Sequence, residues 1–386
     1  MDATVSRIKS LDILRGAAII GVITVHIMFG LGRGVDGVYG GFNVAELAYA
    51  ALPMFMVITG YLYKSGKDFR TNVKHRVVPL VVTLVVATVV LTCSMYVYMW
   101  LLGYDLSQYD LLSNVLEIII GKGCFKDIGA VGFSAGLVLA PYDISAGFYY
   151  LQILAVGLII FYAIADSVLD DWKHCVITIL SLMGITGLYL ATINVQLPFS
   201  AQIGPVVAAF LLTGALLRKY NVAEYIENGY REKKYWLIFA CLIVLSVICI
   251  VLIPSGTNIY NSRFGEYGGW SVFTYLLLSI SCGIVLMYIS AFIIRVPVVS
   301  DIFRFAGVNS IVLFTLHMFV AKLIAAPFTT IGTDYWITID SIPMRFALLI
   351  VTLAIVFAFI AFMNRTSEEI DDSEVEDYIP TYSRLQ

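Results

Sequence analysis

The chain has 386 residues, of which 60% are hydrophobic and 13% charged, and its mean hydropathy is +0.89. Soluble domains carry an apolar share of about half, so the composition excludes a water-soluble globular enzyme and indicates a polytopic membrane protein. The net charge is −3, and no nucleic-acid partner is expected.

A hydrocarbon core of about 30 Å needs roughly 20 apolar residues of helix. Runs of that length lie at 11–31, 44–63, 77–102, 147–165, 174–194, 199–218, 235–254, 270–294, 303–327 and 344–363. In lipid every backbone N–H and C=O must be satisfied within its own segment, and no alternating barrel-strand pattern appears, so all ten are expected as helices. The first run resembles a signal peptide, but its length and the lack of a small-x-small cleavage site mark a retained span. The fold class expected is therefore an all-α bundle of about ten spans, occupying residues 1–365. Residues 366–386 carry seven carboxylates in "TSEEIDDSEVEDYIPTYSRLQ" and read as an acidic, disordered tail.

Lys and Arg are retained on the cytoplasmic side of a membrane. With the N-terminus inside, all 24 of them fall in cytoplasmic segments except Arg33, Lys122, Lys126, Arg263, Arg345 and the intramembrane Lys322. Ten spans then return the C-terminus to the cytoplasm. Tyr and Trp at "YVYMW" (96–100), "FYY" (148–150), Trp270 and "YW" at 335 match an interfacial aromatic belt. One connection is long: residues 103–146, placed outside, mix seven charged residues with "IGAVGFSAGLVLA", and serve either as an ordered or re-entrant cover or as part of an acceptor site. Of the six cysteines only Cys124 falls in an outside loop, so neither a disulfide framework nor metal-ligand spacing is present.

The first span, "SLDILRGAAIIGVITVHIMFG", carries Asp12, Arg15 and His26. At about 100° per residue, the eleven steps from Arg15 to His26 make three turns plus about 20°, so the two share a face, roughly 16 Å apart along the axis. Asp12 lies on the same stripe within about 40°, with apolar Ile19 and Val22 between. Asp or Arg near a helix centre costs about 2.5–3.5 kcal/mol on insertion scales, so the stripe is expected to face protein or a water-filled cavity, and the opposite face to suit lipid. Asp12 and Arg15 also have a plain reading as boundary residues, and His26 as a hydrogen-bonded packing residue. Histidine exchanges protons near neutral pH, and an imidazole here can take the proton of a sugar hydroxyl attacking a thioester carbonyl. Arg15 then faces a cytoplasmic donor and His26 an acceptor from the other side.

At these residues the sequence resembles the acyltransferase-3 family of integral membrane acyltransferases. The resemblance rests on four stretches in the family's order. "LDILRGAAIIGVITVH" (11–26) matches its opening signature, and "LPMFMVITGYLY" (52–63) its phenylalanine-rich second helix, with Thr59 where Ser is commoner. "VKHRVVP" (73–79) matches the following basic loop, with Val73 in place of the first Arg of an Arg-x-x-Arg pair, so that Lys74 or Arg70 would substitute. "FAGVNSIVLFTLHMFV" (305–320) is similar to the late Gly-x-x-Ser helix with its His. Residues 100–300 match mainly by hydropathy, and membrane heparan-type acetyltransferases have a similar opening.

The resemblance implies transfer of an acyl group, usually acetyl from acetyl-CoA, to a hydroxyl of a cell-surface or exported glycan or lipid-linked saccharide. His26 would be the catalytic histidine, as general base or as a transiently acylated group, and Arg15 its motif partner. Asp12, Arg70, Lys74, Arg76 and His317 complete the expected substrate-binding set, with Arg76 the leading candidate for the donor's phosphates. His317 reads either as a pocket residue or as packing, as do Asn309 and Ser310. No metal and no permanently bound cofactor is expected, with acyl-CoA entering as a substrate and the plasma membrane of a bacterium as the location. A transporter or flippase of a glycan precursor is the rival, but the paired, interrupted repeats it calls for are not found.

Overall fold

The computed structural model describes residues 8–28, 38–39, 42–43, 51–107, 110–120, 148–193, 197–252, 270–328 and 341–371. Thirteen helices follow one another through them: α1 Lys9–Met28, α2 Ala51–Tyr61, α3 Phe69–Leu101, α4 Leu111–Ile120, α5 Phe148–Val168, α6 Trp172–Thr192, α7 Gly204–Lys219, α8 Val222–Asn228, α9 Lys233–Leu252, α10 Trp270–Ile293, α11 Pro297–Val308, α12 Ser310–Ala325 and α13 Ile342–Asp371. Among the described residues nine helices are long and apolar enough to cross a membrane, and a tenth, α2, is shorter. Residues 44–50 of the expected second span lie outside the described residues. The one strand pairing described is a two-residue antiparallel ladder, Val38–Tyr39 against Phe42–Asn43. The chain is an integral, multi-pass, all-α membrane bundle.

α1 occupies the middle of the bundle, packed by α2, α10, α11, α12 and α13. Its polar stripe faces inward, because Ile19 and Val22, which lie between Arg15 and His26, are buried. The opposite face is not the open lipid surface expected: Ala17, Ile20 and Thr24 there are half-covered and Ile13 is fully buried. Neighbours on all sides leave little of α1 for lipid. α9 shows the contrary pattern, with Leu237, Val244, Val251 and Leu252 all exposed, as a peripheral apolar helix requires.

Two pairs of helices cross with their backbones in contact, each through reciprocal glycines. A Cβ at Gly16 of α1 would collide with the Phe303 carbonyl of α11, and one at Gly307 of α11 with the Asp12 carbonyl of α1. In the same way, Gly60 of α2 faces the Leu211 carbonyl of α7, and Gly214 of α7 faces the Val57 carbonyl of α2. Lipid gives helices no hydrophobic reason to associate, so close van der Waals packing at small residues has to do it. The short α8 then ties the start of α1 to the end of α2. The Ser10 N–H, one of the donors a helix start leaves unpaired, donates to Glu227 at 3.0 Å, and the Tyr61 hydroxyl donates to Glu224 at 2.5 Å.

Several elements differ from the expected spans. The third helix starts at Phe69, not at 77, so Arg70, Lys74 and Arg76 ride on its first turns instead of in a loop. Asp68 caps it by accepting from the Thr71 N–H at 3.2 Å; the Thr71 side chain first, and this backbone N–H second, hold the Asp68 carboxyl below its ordinary range. The segment Val73–Val77 is a π-turn, closed by the Val78 N–H on the Val73 carbonyl. Pro79 explains it: with no N–H to offer the carbonyl four residues back, and a ring that crowds it, the preceding turn widens.

The expected ninth span, 303–327, is two helices. α11 ends at Val308, Asn309 leaves the helical region (φ −99°, ψ 21°), its side chain donates to the Phe305 carbonyl at 2.9 Å, and α12 starts at Ser310. The long connection 103–146 contains α4, which docks on α5 through the Gln152 side-chain amide, a donor to the Ile118 carbonyl and, at 3.0 Å, to that of Ile119. "IGAVGFSAGLVLA" and Cys124 lie outside the described residues, as do Arg33, Lys122, Lys126, Arg263, the "YW" at 335 and residues 372–386.

The reciprocal crossing gives a direct test. Gly307→Val forces α11 away from α1 and is expected to cost about 1–3 kcal/mol, as overpacking of a filled interior does. Gly184→Ala serves as control, since a Cβ there meets only the far end of the Phe273 ring at 3.8 Å. Melting of the purified protein in detergent should show a clear drop for the first variant and none for the second; equal melting temperatures would rule out the crossing.

Candidate active site

The two intramembrane histidines meet. α1 and α12 run parallel, because Gly307 at the head of the α11–α12 pair lies against Asp12 while His317 lies against His26. His26 Nδ1 is 2.8 Å from His317 Nε2. The ring planes differ by 14° and the centroids stand 5.1 Å apart. That separation is the N···N distance extended by a ring radius at each end, so the rings lie edge to edge in nearly one plane. This is the arrangement of a linear N–H···N hydrogen bond rather than of face-to-face stacking. His317 is fully buried, and its Nδ1 sits 2.8 Å from the Phe314 carbonyl and 3.1 Å from that of Leu313. His26 is half-buried.

Arg15, also half-buried, stands three turns nearer the N-terminal end of α1 and acts electrostatically on the phenol of Tyr150 from α5. Tyr150 packs against Phe55 of α2 (centroids 6.0 Å) and Phe314 of α12 (5.1 Å), and Phe314 packs against His317 at 6.0 Å. Phe55, Tyr150 and Phe314 therefore form an aromatic wall that reaches the histidine pair. Tyr150 was expected at the membrane interface, as part of "FYY"; instead it is buried against Phe55 and Phe314, within electrostatic reach of Arg15. Tyrosine suits both settings, an apolar ring with one polar tip, and only the tertiary fold decides between them.

The remaining expected site residues form a second group. Arg70, Lys74 and Arg76 are exposed on the first turns of α3, and Arg76 acts electrostatically on Tyr162, toward the far end of α5. A π-turn at this place points three consecutive polar residues, Lys74, His75 and Arg76, outward; such turns recur at functional sites. Asp12 lies at the α1–α11 crossing with its carbonyl against Gly307. His75 and His174 are both exposed, and His174 faces Asp171 at 3.7 Å. Among the described residues no group of three His, Cys, Asp or Glu side chains is placed to hold a metal ion.

Arg345 is a further residue that the sequence did not single out beyond its side of the membrane. Among the described residues it is the largest fully buried side chain, 1% exposed, and its guanidinium donates to the Met28 carbonyl at 2.5 Å. A cation at the end of a helix meets the negative pole of its dipole and a carbonyl without an intrahelical partner. Arg345 thus fixes the C-terminal end of α1, two residues beyond His26.

The bundle thus combines an inward-facing polar stripe, a histidine pair at its far end and an exposed basic turn at its near side. No individual curated protein matches the chain, whereas the family model for the acyltransferase domain of the acyltransferase-3 family matches residues 8–361. Nearly the whole described bundle lies inside that match, and the chain belongs to this family of membrane acyltransferases.

Proposed function

We propose that the chain moves an acetyl group from acetyl-CoA to a hydroxyl of a cell-surface or exported glycan or a lipid-linked saccharide, in the plasma membrane of a bacterium with both chain ends in the cytoplasm. The observation that carries this reading is the placement of His26, an imidazole set inside the bundle against His317 on the same helix face as Arg15. The donor enters from the Arg15 side and the acceptor from the His26 side.

Each group has a physical task. The donor's phosphates meet Arg70, Lys74 and Arg76, exposed on the first turns of α3, through charge-assisted hydrogen bonds. Arg15 meets the polarised carbonyl end of the donor, where a fixed cation stabilises developing negative charge. His26 takes the proton from the acceptor hydroxyl as the oxygen bonds to the thioester carbon. When the carbon–sulfur bond breaks, that proton passes to the leaving thiolate and the imidazole is restored.

Transfer of labelled acetyl from acetyl-CoA to membrane glycan tests the reading. With protein amounts matched, His26→Ala is expected to lower the rate about 100-fold or more, the usual loss for a removed proton-transfer group; equal labelling overturns the role of His26. Arg76→Ala is expected to raise KM for acetyl-CoA about tenfold at nearly constant kcat, the signature of lost donor binding. A fall in kcat without a change in KM would place Arg76 elsewhere in the mechanism.

A further inference from the structure

We infer that His317 is a positioning residue: it fixes the tautomer of His26, so that His26 Nε2 is the nitrogen that takes the acceptor's proton. The inference rests on the transfer reaction proposed above. It follows from which atoms face which. The two groups against His317 Nδ1 are the Phe314 and Leu313 carbonyls, and a carbonyl only accepts hydrogen bonds. His317 Nδ1 therefore carries the proton. In the neutral ring the other nitrogen, Nε2, is then a lone-pair acceptor, and it faces His26 Nδ1 at 2.8 Å. His26 must donate there, which places its own proton on Nδ1 and leaves Nε2 as a lone pair directed away from His317.

The chain of bonds runs His26 Nδ1–H to His317 Nε2, then His317 Nδ1–H to the Phe314 carbonyl. Its backbone terminus is rigid, since Phe314 is one turn back on the same helix. During reaction the acceptor's O–H breaks and its proton joins His26 Nε2, while the oxygen bonds to the carbonyl carbon. His26 is then an imidazolium whose Nδ1–H still points at His317 Nε2. When the carbon–sulfur bond breaks, the Nε2 proton goes to the thiolate, so the His26–His317 pair gains one proton and gives up one and ends as it began. Holding a catalytic imidazole in one tautomer is the task a buried acceptor performs in nucleophile–base–orienter sites; a second imidazole can perform it in an interior where a carboxylate would be costly.

Two amide replacements separate this role from a packing role. His317→Asn puts an amide near the position of Nδ1 and keeps the tie to the backbone, whereas the longer side chain of His317→Gln puts one near Nε2 and keeps the acceptor for His26. We therefore expect His317→Gln to retain kcat within about tenfold of wild type, and His317→Asn and His317→Leu to lose about 100-fold, with KM for acetyl-CoA within about twofold in all three. A His317→Asn enzyme as fast as His317→Gln, or a His317→Leu enzyme as fast as wild type, overturns the assignment. Carbethoxylation of His26 by diethyl pyrocarbonate, read by mass spectrometry, reports the Nε2 lone pair without any acyl transfer. It is expected to be about tenfold faster in wild type and His317→Gln than in His317→Asn, and equal rates count against the assignment. A wild-type protein that transfers no acetyl group overturns the proposed reaction, while the carbethoxylation rates still decide the role of His317.

Discussion

His26 reaches His317 because two helices approach until their backbones touch. Gly16 admits the Phe303 carbonyl and Gly307 admits that of Asp12, and the break at Asn309 then lets α12 climb alongside α1 to bring the two imidazoles to 2.8 Å. The opening Leu-Arg-Gly and the late Gly-x-x-Ser, far apart in the chain, are two halves of one contact. Their glycines bear on the chemistry only through it: a side chain at either position would separate the helices that carry the two rings.

The same framework extends along α1. Its start is held by Glu227 at the Ser10 N–H and its end by Arg345 at the Met28 carbonyl, a carboxylate at the positive pole and a guanidinium at the negative pole of one helix dipole. A helix tied at both ends and packed all round can keep Asp12, Arg15 and His26 in an apolar setting, because neighbours and bonded groups replace the water that lipid cannot supply. The exposed basic turn of α3 lies outside this framework. It follows from Pro79, whose missing N–H widens the preceding turn.

The parts of the fold and site that could be read from sequence are those set by local rules. Helical periodicity aligns Arg15 with His26 whatever surrounds them, and the buried Ile19 and Val22 agree with the inward stripe. The apolar runs likewise follow from the length of lipid to be crossed. What escaped is set by contacts between distant segments. Nothing in "FYY" distinguishes a Tyr150 buried against Phe55 and Phe314 from one at an interface. The break at Asn309 falls inside a run whose average hydropathy is that of one span, so hydropathy is blind to it. His317 could be weighed as pocket or packing, but its partner, 291 residues away in sequence, comes only with the crossing of α1 and α11.

The central claim is that His26 is held with its proton on Nδ1, donated to His317. The chain has only four histidines, so nitrogen-15 NMR of the histidine-labelled protein, assigned with His26→Ala and His317→Ala, reads it directly. The account predicts that His26 and His317 both show a protonated Nδ1 and an unprotonated Nε2, with a coupling across the hydrogen bond that joins them. A His26 with its proton on Nε2, or one exchanging freely between the two tautomers, would contradict it.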